Sequence, residues 1–249
     1  MADLLRSGAL AEAGFAHGFS LRTGGVSEGS FASLNLGRGL GDPLENVEAN
    51  HRRFAEAIGY VPGSLFEQSQ VHGDRVREIL AGEDPVIVRQ EEGDALIARR
   101  AGTAIGIRVA DCTPVLIAHP PSGDVGAAHA GWRGVEQRIV TATIEALAHP
   151  PSELVVAVGP HIRGDRFEVG DDVAERLAAV AGEGPSVVDR SRPKPHVDLT
   201  EILRRELTGL GVTRIDDVGG CTFADPERFF SYRRDRETGR HLAAIVARG

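Results

Sequence analysis

The sequence predicts an α/β fold built as one domain of 249 residues. The apolar runs within 104–130 are nearly continuous, which is the pattern of strands buried on both faces. Elsewhere apolar residues recur at helical spacing, as expected for helices that pack one face on a sheet. Because the chain shows no internal repeat, low-complexity tract or convincing linker, we expect a single domain spanning 1–249.

The composition argues against two classes of partner. The net charge is −8 at pH 7, whereas nucleic-acid-binding domains usually carry a basic surface. No apolar run approaches the roughly 18 residues that cross a membrane, and the start, MADLLRSGALAEAG, lacks the pattern of a signal peptide. We therefore expect a cytoplasmic protein without a nucleic-acid or membrane partner, whose two cysteines remain thiols.

Residues 1–50 are rich in glycine and predict turns between short apolar pieces. Gly24-Gly25 indicates a turn between two short strands, with the polar side chains of Arg22 and Asn35 nearby. From the residues alone, this segment is as consistent with a surface hairpin as with part of a site.

Apolar periodicity predicts helices in four further segments. The first begins after Pro43 and ends at Gly59, and the third has Asp171 or Asp172 as its N-cap. The fourth is closed by Gly211. The segments are 44–60, 130–150, the part of 167–182 that follows an initial strand or loop, and 198–212.

Strands are predicted wherever short apolar or alternating runs end at turn residues. Residues 65–80 look extended, with an interruption at His72-Gly73, and 104–132 reads as strand, turn, strand, turn, strand. Further strands are expected at 154–162 and 241–247. Residues 183–196, rich in Pro, Gly and charge, predict a surface loop.

Three residues that could bind a metal or take part in catalysis lie at the ends of these strands. Cys112 follows Asp111 at the first break of 104–132, His129 ends its third strand, and His72 lies upstream. Two histidines and a cysteine are the three ligands that a catalytic zinc needs when it keeps an open fourth position. The same residues could instead form a thiol nucleophile with a histidine base, or have no joint role. Their spacing is not that of a CxxC zinc knot.

Copper oxidation chemistry is poorly supported by the residue types. The chain has nine histidines, none of them arranged as His-x-His. A blue-copper centre commonly adds an axial methionine, and the only methionine is Met1.

Several arginines beside glycine turns indicate an anionic ligand in this acidic protein. The strand-to-helix junction that contains Arg133 has the geometry of an anion site. Asp111 could orient a neighbour, transfer a proton or cap a turn. The alternative for the arginines is a solvated surface run. They are Arg22, Arg133, Arg233-Arg234 and Arg240.

Seven motifs extend over nearly the whole chain: SLRTGGVSEGSFASLNLG (20–37), SQVHGDRV (69–76), GDALIA (93–98), ADCTPVLI (110–117), AAHAGWRG (127–134), VGPHI (158–162) and CTFADPERFFSYRRDRETGR (221–240). QVHG, ADC and HAGWRG in this order are highly specific. Taken together, the motifs resemble the YfiH-like family, the laccase-domain proteins assigned as zinc-dependent purine nucleoside phosphorylases and formerly called polyphenol oxidases. One departure is Asn50-His51, where relatives more often have Asn-Arg.

The resemblance implies a layered sandwich of mixed β-sheets covered by helices, with zinc held by His72, Cys112 and His129. It implies phosphorolysis of adenosine, inosine, guanosine and methylthioadenosine, with deamination of adenosine, so the expected ligands are purine nucleosides and phosphate. Two alternatives for the same Cys/His site remain, a cysteine-dependent hydrolase and an enzyme that edits peptidoglycan precursors. A metal-binding protein without catalytic turnover is a third.

A phosphorylase mechanism assigns expected roles to five further residues. Arg22, with Arg133 or Arg233, would hold the phosphate oxygens. Asn35 would bond to the sugar or the base, and Asp111, next to the Cys112 ligand, would carry a proton.

Overall fold

Two mixed β-sheets form the centre of the fold in this computed structural model, which describes residues 2–182 and 184–248. The strands are β1 Leu4–Leu5, β2 His17–Ser20, β3 Leu65–Phe66, β4 Val76–Ile79, β5 Ala95–Ala98, β6 Ala104–Val109, β7 Thr113–Ala118, β8 Val125–Ala130, β9 Val155–Val158, β10 Val188–Asp189, β11 His196–Val197, β12 Arg214–Asp217 and β13 His241–Val246. The helices are α1 Gly8–Glu12, α2 Leu44–Ile58, α3 Pro85–Val88, α4 Trp132–Glu136, α5 Ile139–Leu147, α6 Asp171–Ala181, α7 Leu199–Gly209 and α8 Tyr232–Asp235, with 3₁₀ turns at Gly29–Phe31 and Pro151–Glu153.

The first sheet has five strands in the order β1-β2-β13-β6-β3, and the second has six in the order β12-β9-β7-β8-β5-β4. β7 lies antiparallel between β8 and β9, while β12 and β4 pair in parallel with β9 and β5. The short turn between β6 and β7 therefore connects the first sheet to the second.

Alternating apolar residues on the central strands bury both faces of each sheet. On β7, Leu116 packs in a core that both sheets share, whereas Val115 packs with α4, α5, α6 and α7. On β13, Ala243 belongs to the shared core, whereas Leu242 packs beneath α2 with Phe54. The result is four layers in the order helix, sheet, sheet, helix, which confirms the predicted α/β sandwich. The predicted extent of 1–249 includes residues 1, 183 and 249, which lie outside the described residues, and stays a prediction.

The strands predicted within 104–132, at 154–162 and at 241–247 are confirmed, as is helix α2, whose C-cap Gly59 is left-handed at φ 102°. The long helix predicted for 130–150 is wrong. The chain breaks at Arg138, with φ 59°, between α4, which packs against α6, and α5, which packs along β8, β5 and β4.

Three smaller expectations also need correction. Gly24-Gly25 does not join two strands, because β2 is followed by a loop and a 3₁₀ turn. A Cβ on Gly25 would lie 2.0 Å from the carbonyl oxygen of Ser33, so the loop folds tightly on itself there. The N-cap of α6 is Gly170, and both aspartates lie in the first turn, where their charge favours the helix dipole. The loop predicted for 183–196 contains β10 and the start of β11, and its first residue lies outside the described residues.

Candidate active site

The three predicted ligand residues lie together at one end of the second sheet. His72 comes from the loop before β4, Cys112 from the turn between β6 and β7, and His129 from β8. Their candidate ligand atoms all lie within 4.8 Å of one another. The Cys112 Sγ is 3.7 Å from the Nε2 of His72, and the two imidazole centroids are 4.8 Å apart. The topology thus brings the sequence-distant His72 to the other two residues.

The distance between the donor atoms of Cys112 and His72 fits a tetrahedral metal ion. Zinc bonds of about 2.3 Å to sulfur and about 2.05 Å to nitrogen place the two donor atoms about 3.6 Å apart. The separation between Cys112 and His72 is 3.7 Å. Within residues 2–182 and 184–248, this is the group of three such side chains that could hold a metal. One thiolate and two imidazoles suit zinc better than a hard cation such as magnesium.

One buried carboxylate, that of Asp94, orients both histidines. Its Oδ1 accepts a hydrogen bond from the Nδ1 of His129 at 2.7 Å and another from the backbone N–H of His72 at 3.0 Å. Its Oδ2 accepts from the backbone N–H groups of Val71 at 3.1 Å and Gly73 at 2.7 Å. When the imidazole of His129 is neutral, the proton on Nδ1 faces Asp94 and its Nε2 keeps a lone pair for a metal.

The electrostatics of the site favour the ligand form of the cysteine. Burial opposes the thiolate, but His129 and His72 outweigh it and lower the pKa of Cys112 to about 6. Burial likewise opposes the imidazolium of His129, but Cys112 and Asp94 outweigh it and raise its pKa to about 9. The thiolate is both the metal-binding and the nucleophilic form of cysteine, so this pair supports either chemistry.

The loops that carry the ligands depend on a few special residues. His72 and Asp111 have φ values of 63° and 88°, a left-handed conformation that is uncommon outside glycine and recurs at functional sites. The Gln70 side chain donates to the carbonyl of Arg108 at 2.7 Å and accepts from its N–H at 2.8 Å, which ties the His72 loop to β6. A Cβ on Gly131 would lie 3.0 Å from the Cys112 sulfur and 3.0 Å from the imidazole of His72, so any larger residue there would crowd both side chains.

A cavity of about 570 Å³ opens beside the three ligands. Its aromatic wall is Tyr232, which is 48% exposed. The lining consists of Gly37, Arg38, Leu40, Ser69, Gln70, His72, Arg108, Val109, Ala110, Cys112, His129, Tyr232 and Arg240.

The three arginines of the cavity differ in their partners. Buried Glu67 pairs with Arg38 at 2.9 Å and with Arg108 at 3.4 Å. Arg240 donates to the carbonyl groups of Thr238 and Gly239 and has no carboxylate partner among the residues that the structure describes. Its guanidinium also lies over the ring of Tyr232, so Arg240 is the cavity arginine that is held by carbonyl groups and an aromatic ring rather than by a carboxylate.

The predicted phosphate ligands lie elsewhere in this conformation. Arg22 donates to the carbonyl groups of Ala32 and Pro226, with its guanidinium over the ring of Phe230. The guanidinium of Arg133 lies over Trp132. Neither arginine is among the described residues that line the cavity.

Arg233 and Asn35 are also engaged with protein groups rather than with the cavity. Arg233 donates to the carbonyl of Glu168. Asn35 is fully buried, and its Oδ1 accepts from the N–H of Arg240 at 2.9 Å. Asn35 thus holds the backbone of Arg240, the cavity arginine.

Both carboxylate oxygens of Asp111 are occupied as well. Oδ1 accepts from the hydroxyl of Thr222 and Oδ2 from the N–H of Arg233, each at 2.6 Å. Through these bonds Asp111 ties α8, which carries Tyr232, to the turn of Cys112. The geometry fits a positioning role better than the expected transfer of a proton.

Four residues of the site received no role from the sequence: Asp94, Arg38, Arg108 and Tyr232. For two of them, the sequence contains a pattern that indicates a site residue. Arg108 is a charged residue within the otherwise apolar strand AIGIRV, and Asp94 directly precedes the apolar strand ALIA. Charged groups next to buried strands need partners, which makes them candidates for a site.

A sequence model of the family described as multi-copper polyphenol oxidoreductase laccase matches residues 16–248. A purine nucleoside phosphorylase of Deinococcus radiodurans is 41% identical over 92% of this chain and 88% of its own length. The purine nucleoside phosphorylase YfiH of Escherichia coli is 37% identical over 91% of both chains.

Solved structures show the same fold. YlmD from Geobacillus stearothermophilus superposes with a TM-score of 0.90 at 34% identity, covering 99% of this chain and 96% of that one. A YfiH protein from Bacillus licheniformis gives a TM-score of 0.86 at 27% identity, covering 93% and 92%. The chain thus belongs to the YfiH family of laccase-like proteins.

Proposed function

We propose that the protein is a purine nucleoside phosphorylase that uses a zinc ion held by His72, Cys112 and His129. One observation carries the proposal: these three residues lie in the wall of a cavity that also contains Arg240, a guanidinium without a carboxylate partner among the described residues. A metal and a free arginine in one cavity suit a reaction in which phosphate is a substrate. The names of the relatives from D. radiodurans and E. coli support the same assignment.

Phosphorolysis transfers a ribosyl group from a purine to phosphate through a transition state that resembles an oxocarbenium ion, as in glycoside cleavage. The site must hold the phosphate, orient the sugar and stabilise the departing base. When bound, zinc would stabilise negative charge on oxygen and increase the acidity of water, which also suits the second activity that we propose, deamination of adenosine.

The guanidinium of Arg240 is the group that we assign to phosphate. It lines the cavity, and Asn35 holds its backbone. Arg38 and Arg108 are held by Glu67 and contribute positive potential to the same lining. In this assignment Asn35 and Asp111 position other residues, and Arg22, Arg133 and Arg233 reach phosphate only after their side chains move.

The side chain of Tyr232 is the group that we assign to the purine. It is the aromatic residue of the described cavity lining, and about half of its surface is exposed. Aromatic rings bind flat bases by stacking, and Asp111 and the Ser231 N-cap hold α8 in place for this contact.

A copper oxidase is less consistent with the site. Multicopper chemistry needs several metal centres, whereas the described residues provide the single group of His72, Cys112 and His129. This group has a thiolate and two imidazoles in one place, which suits one metal ion.

A cysteine hydrolase is the second candidate, because a histidine lies 3.7 Å from a thiol whose pKa is lowered to about 6. Cys112→Ser separates the two functions. A ligand role predicts that the variant loses both zinc and phosphate-dependent release of hypoxanthine from inosine. A nucleophile predicts that zinc content is retained while activity is lost, and that alkylation of Cys112 inactivates metal-free protein. His149→Gln, a histidine outside the cavity lining, is the matched control and should keep both zinc and activity.

A further inference from the structure

Arg236 lies in a strained turn directly after α8, the helix that carries Tyr232. Its φ of 61° and ψ of −66° are those of a γ-turn with a positive central φ, which is rare and strained. A hydrogen bond of 2.7 Å from the N–H of Glu237 to the carbonyl of Asp235 closes the turn. Glycine adopts a positive φ easily, whereas a residue with a side chain does so at a steric cost. Strain of this kind recurs at functional sites, which indicates a role for the side chain of Arg236.

The guanidinium of Arg236 lies against the wall of the active-site cavity. Its Cζ is 5.7 Å from the ring centroid of Tyr232, the aromatic residue of the lining, and Arg236 itself is exposed. Of the five arginines within 221–240, it is the one whose guanidinium makes no hydrogen bond or ion pair with a described residue. It can therefore move without breaking a polar contact within that part of the chain. The other four bind carbonyl groups or carboxylates; they are Arg228, Arg233, Arg234 and Arg240.

The two carboxylates next to Arg236 in the sequence have other partners. Asp235 pairs with Arg234 at 2.7 Å, and Glu237 accepts a hydrogen bond from the hydroxyl of Ser30 at 2.9 Å. Neither carboxylate forms an ion pair with Arg236. The charge of Arg236 is thus available to an anion that enters the cavity.

A phosphate bound by Arg240 lies within reach of this second cation. The guanidinium carbons of Arg236 and Arg240 are both within 5.7 Å of the Tyr232 ring centroid, so they are at most twice that distance apart. Phosphate has several acceptor oxygens and more than one negative charge, so two guanidinium groups can bind it together. The other two arginines of the cavity lining already pair with Glu67.

We infer that Arg236 is a second phosphate-binding residue of this site, which leaves the ring of Tyr232 and binds the phosphate held by Arg240. The inference rests on the proposed phosphorylase function. Rotation about the bonds of the long arginine side chain is sufficient, so the backbone of α8 stays in place. A contact with phosphate also gives a reason for an arginine at a turn position that favours glycine.

Two replacements of Arg236 separate a substrate contact from a structural role. Arg236→Gln removes the charge but keeps a side chain in the strained turn, whereas Arg236→Gly also relieves the strain. Both should raise the KM for phosphate about tenfold or more, with unchanged zinc content and a KM for inosine within about threefold of wild type. Arg236→Gly should at the same time raise the melting temperature by about 2 °C or more. A purely structural role predicts no change in the KM for phosphate.

A titration of zinc-loaded, full-length protein with inorganic phosphate, followed by calorimetry, measures the contact without turnover. Arg236→Gln and Arg240→Gln should each weaken phosphate binding about tenfold or more. Arg228→Gln is the matched control, because Arg228 is an exposed arginine that lies over the ring of Phe229 in the same segment. It should leave both phosphate binding and the KM for phosphate within about twofold of wild type.

The results distinguish this inference from the proposed function. If Arg240→Gln weakens phosphate binding and Arg236→Gln leaves it within about twofold of wild type, the inference is wrong and the proposed function stands. If Arg236→Gln changes only the KM for inosine, its guanidinium contacts the nucleoside, which also overturns the inference. If the wild type binds phosphate but releases no hypoxanthine, the proposed function is wrong and the phosphate titration alone decides the role of Arg236. A wild type that does not bind phosphate at millimolar concentration overturns both.

Discussion

Replacing Asp94 by asparagine is expected to weaken zinc binding while the protein stays folded. The carboxylate accepts four hydrogen bonds, one from the imidazole of His129 and three from the backbone of residues 71–73. Asparagine has the same shape but one acceptor oxygen. Its NH₂ group must therefore face N–H donors that the carboxylate now satisfies.

The magnitude follows from the groups that lose their acceptor. A hydrogen bond to a charged acceptor contributes about 1.5–3 kcal/mol, so two lost bonds bound the cost in stability at about 3–6 kcal/mol. His129 can relieve part of this cost by moving its proton from Nδ1 to Nε2. The proton would then occupy Nε2 of His129, which is the nitrogen proposed to bind the zinc ion. Loss of such an orienting group typically lowers metal affinity about 10–100-fold.

Competition with a chromogenic chelator measures the zinc affinity of wild type and Asp94→Asn at the same pH. Asp74→Asn is the matched control, because Asp74 is an exposed aspartate in the same loop. Nitrogen NMR of the histidine side chains reports which nitrogen of His129 carries the proton. A zinc affinity of Asp94→Asn within about twofold of wild type would refute the reasoning, as would an unchanged tautomer with weakened binding.

Three further predictions concern the cavity wall and the buried carboxylate that pairs with two of its arginines. Arg240→Gln should raise the KM for phosphate about tenfold or more with unchanged zinc content, measured by steady-state kinetics, and an unchanged KM would exclude the phosphate contact. Tyr232→Leu should raise the KM for inosine several-fold while Tyr232→Phe stays near wild type; equal effects of the two variants would indicate that the hydroxyl matters and not the ring. Glu67→Gln should lower the free energy of unfolding in urea by about 3 kcal/mol, because Arg38 and Arg108 lose a buried partner. Burial alone would raise the pKa of Glu67, but Arg108, His51 and Arg38 outweigh it and lower the pKa. The difference between wild type and Glu67→Gln should therefore shrink as the pH falls through that lowered pKa, and a pH-independent difference would contradict this account.

The ligand set was predictable because residue type and strand ends both point to it. Cys112 lies between two strands, and His129 lies within a third, that are so apolar that their burial is clear from the sequence, and few side chains can bind zinc. The prediction that His72 lies near Cys112 and His129 depended on the family resemblance, because nothing in the segment around His72 indicates which loop it contacts. The fold brings the three candidate ligand atoms together, and the assignment of zinc rests on their chemistry, one thiolate and two imidazoles.

The arginines show what a single sequence leaves open. Arg22 and Arg240 look alike as cations beside glycines, and both donate to backbone carbonyl groups, yet Arg240 lies in the described cavity lining and Arg22 does not. Tertiary contacts determine the position of a flexible guanidinium group, and the local sequence pattern does not indicate those contacts. The break at Arg138 was hidden for a related reason, because α4 and α5 continue one apolar periodicity and a left-handed arginine carries no turn signal.

The central claim is that zinc at His72, Cys112 and His129 supports phosphorolysis, and a zinc titration tests it most directly. Metal-free protein is given increasing zinc, and phosphate-dependent release of hypoxanthine from inosine is measured beside the bound zinc in the same sample. The account predicts activity that rises in proportion to zinc, reaches its plateau at one ion per chain and vanishes without phosphate. Hypoxanthine release by metal-free protein, or a fully loaded protein that releases none, would contradict it.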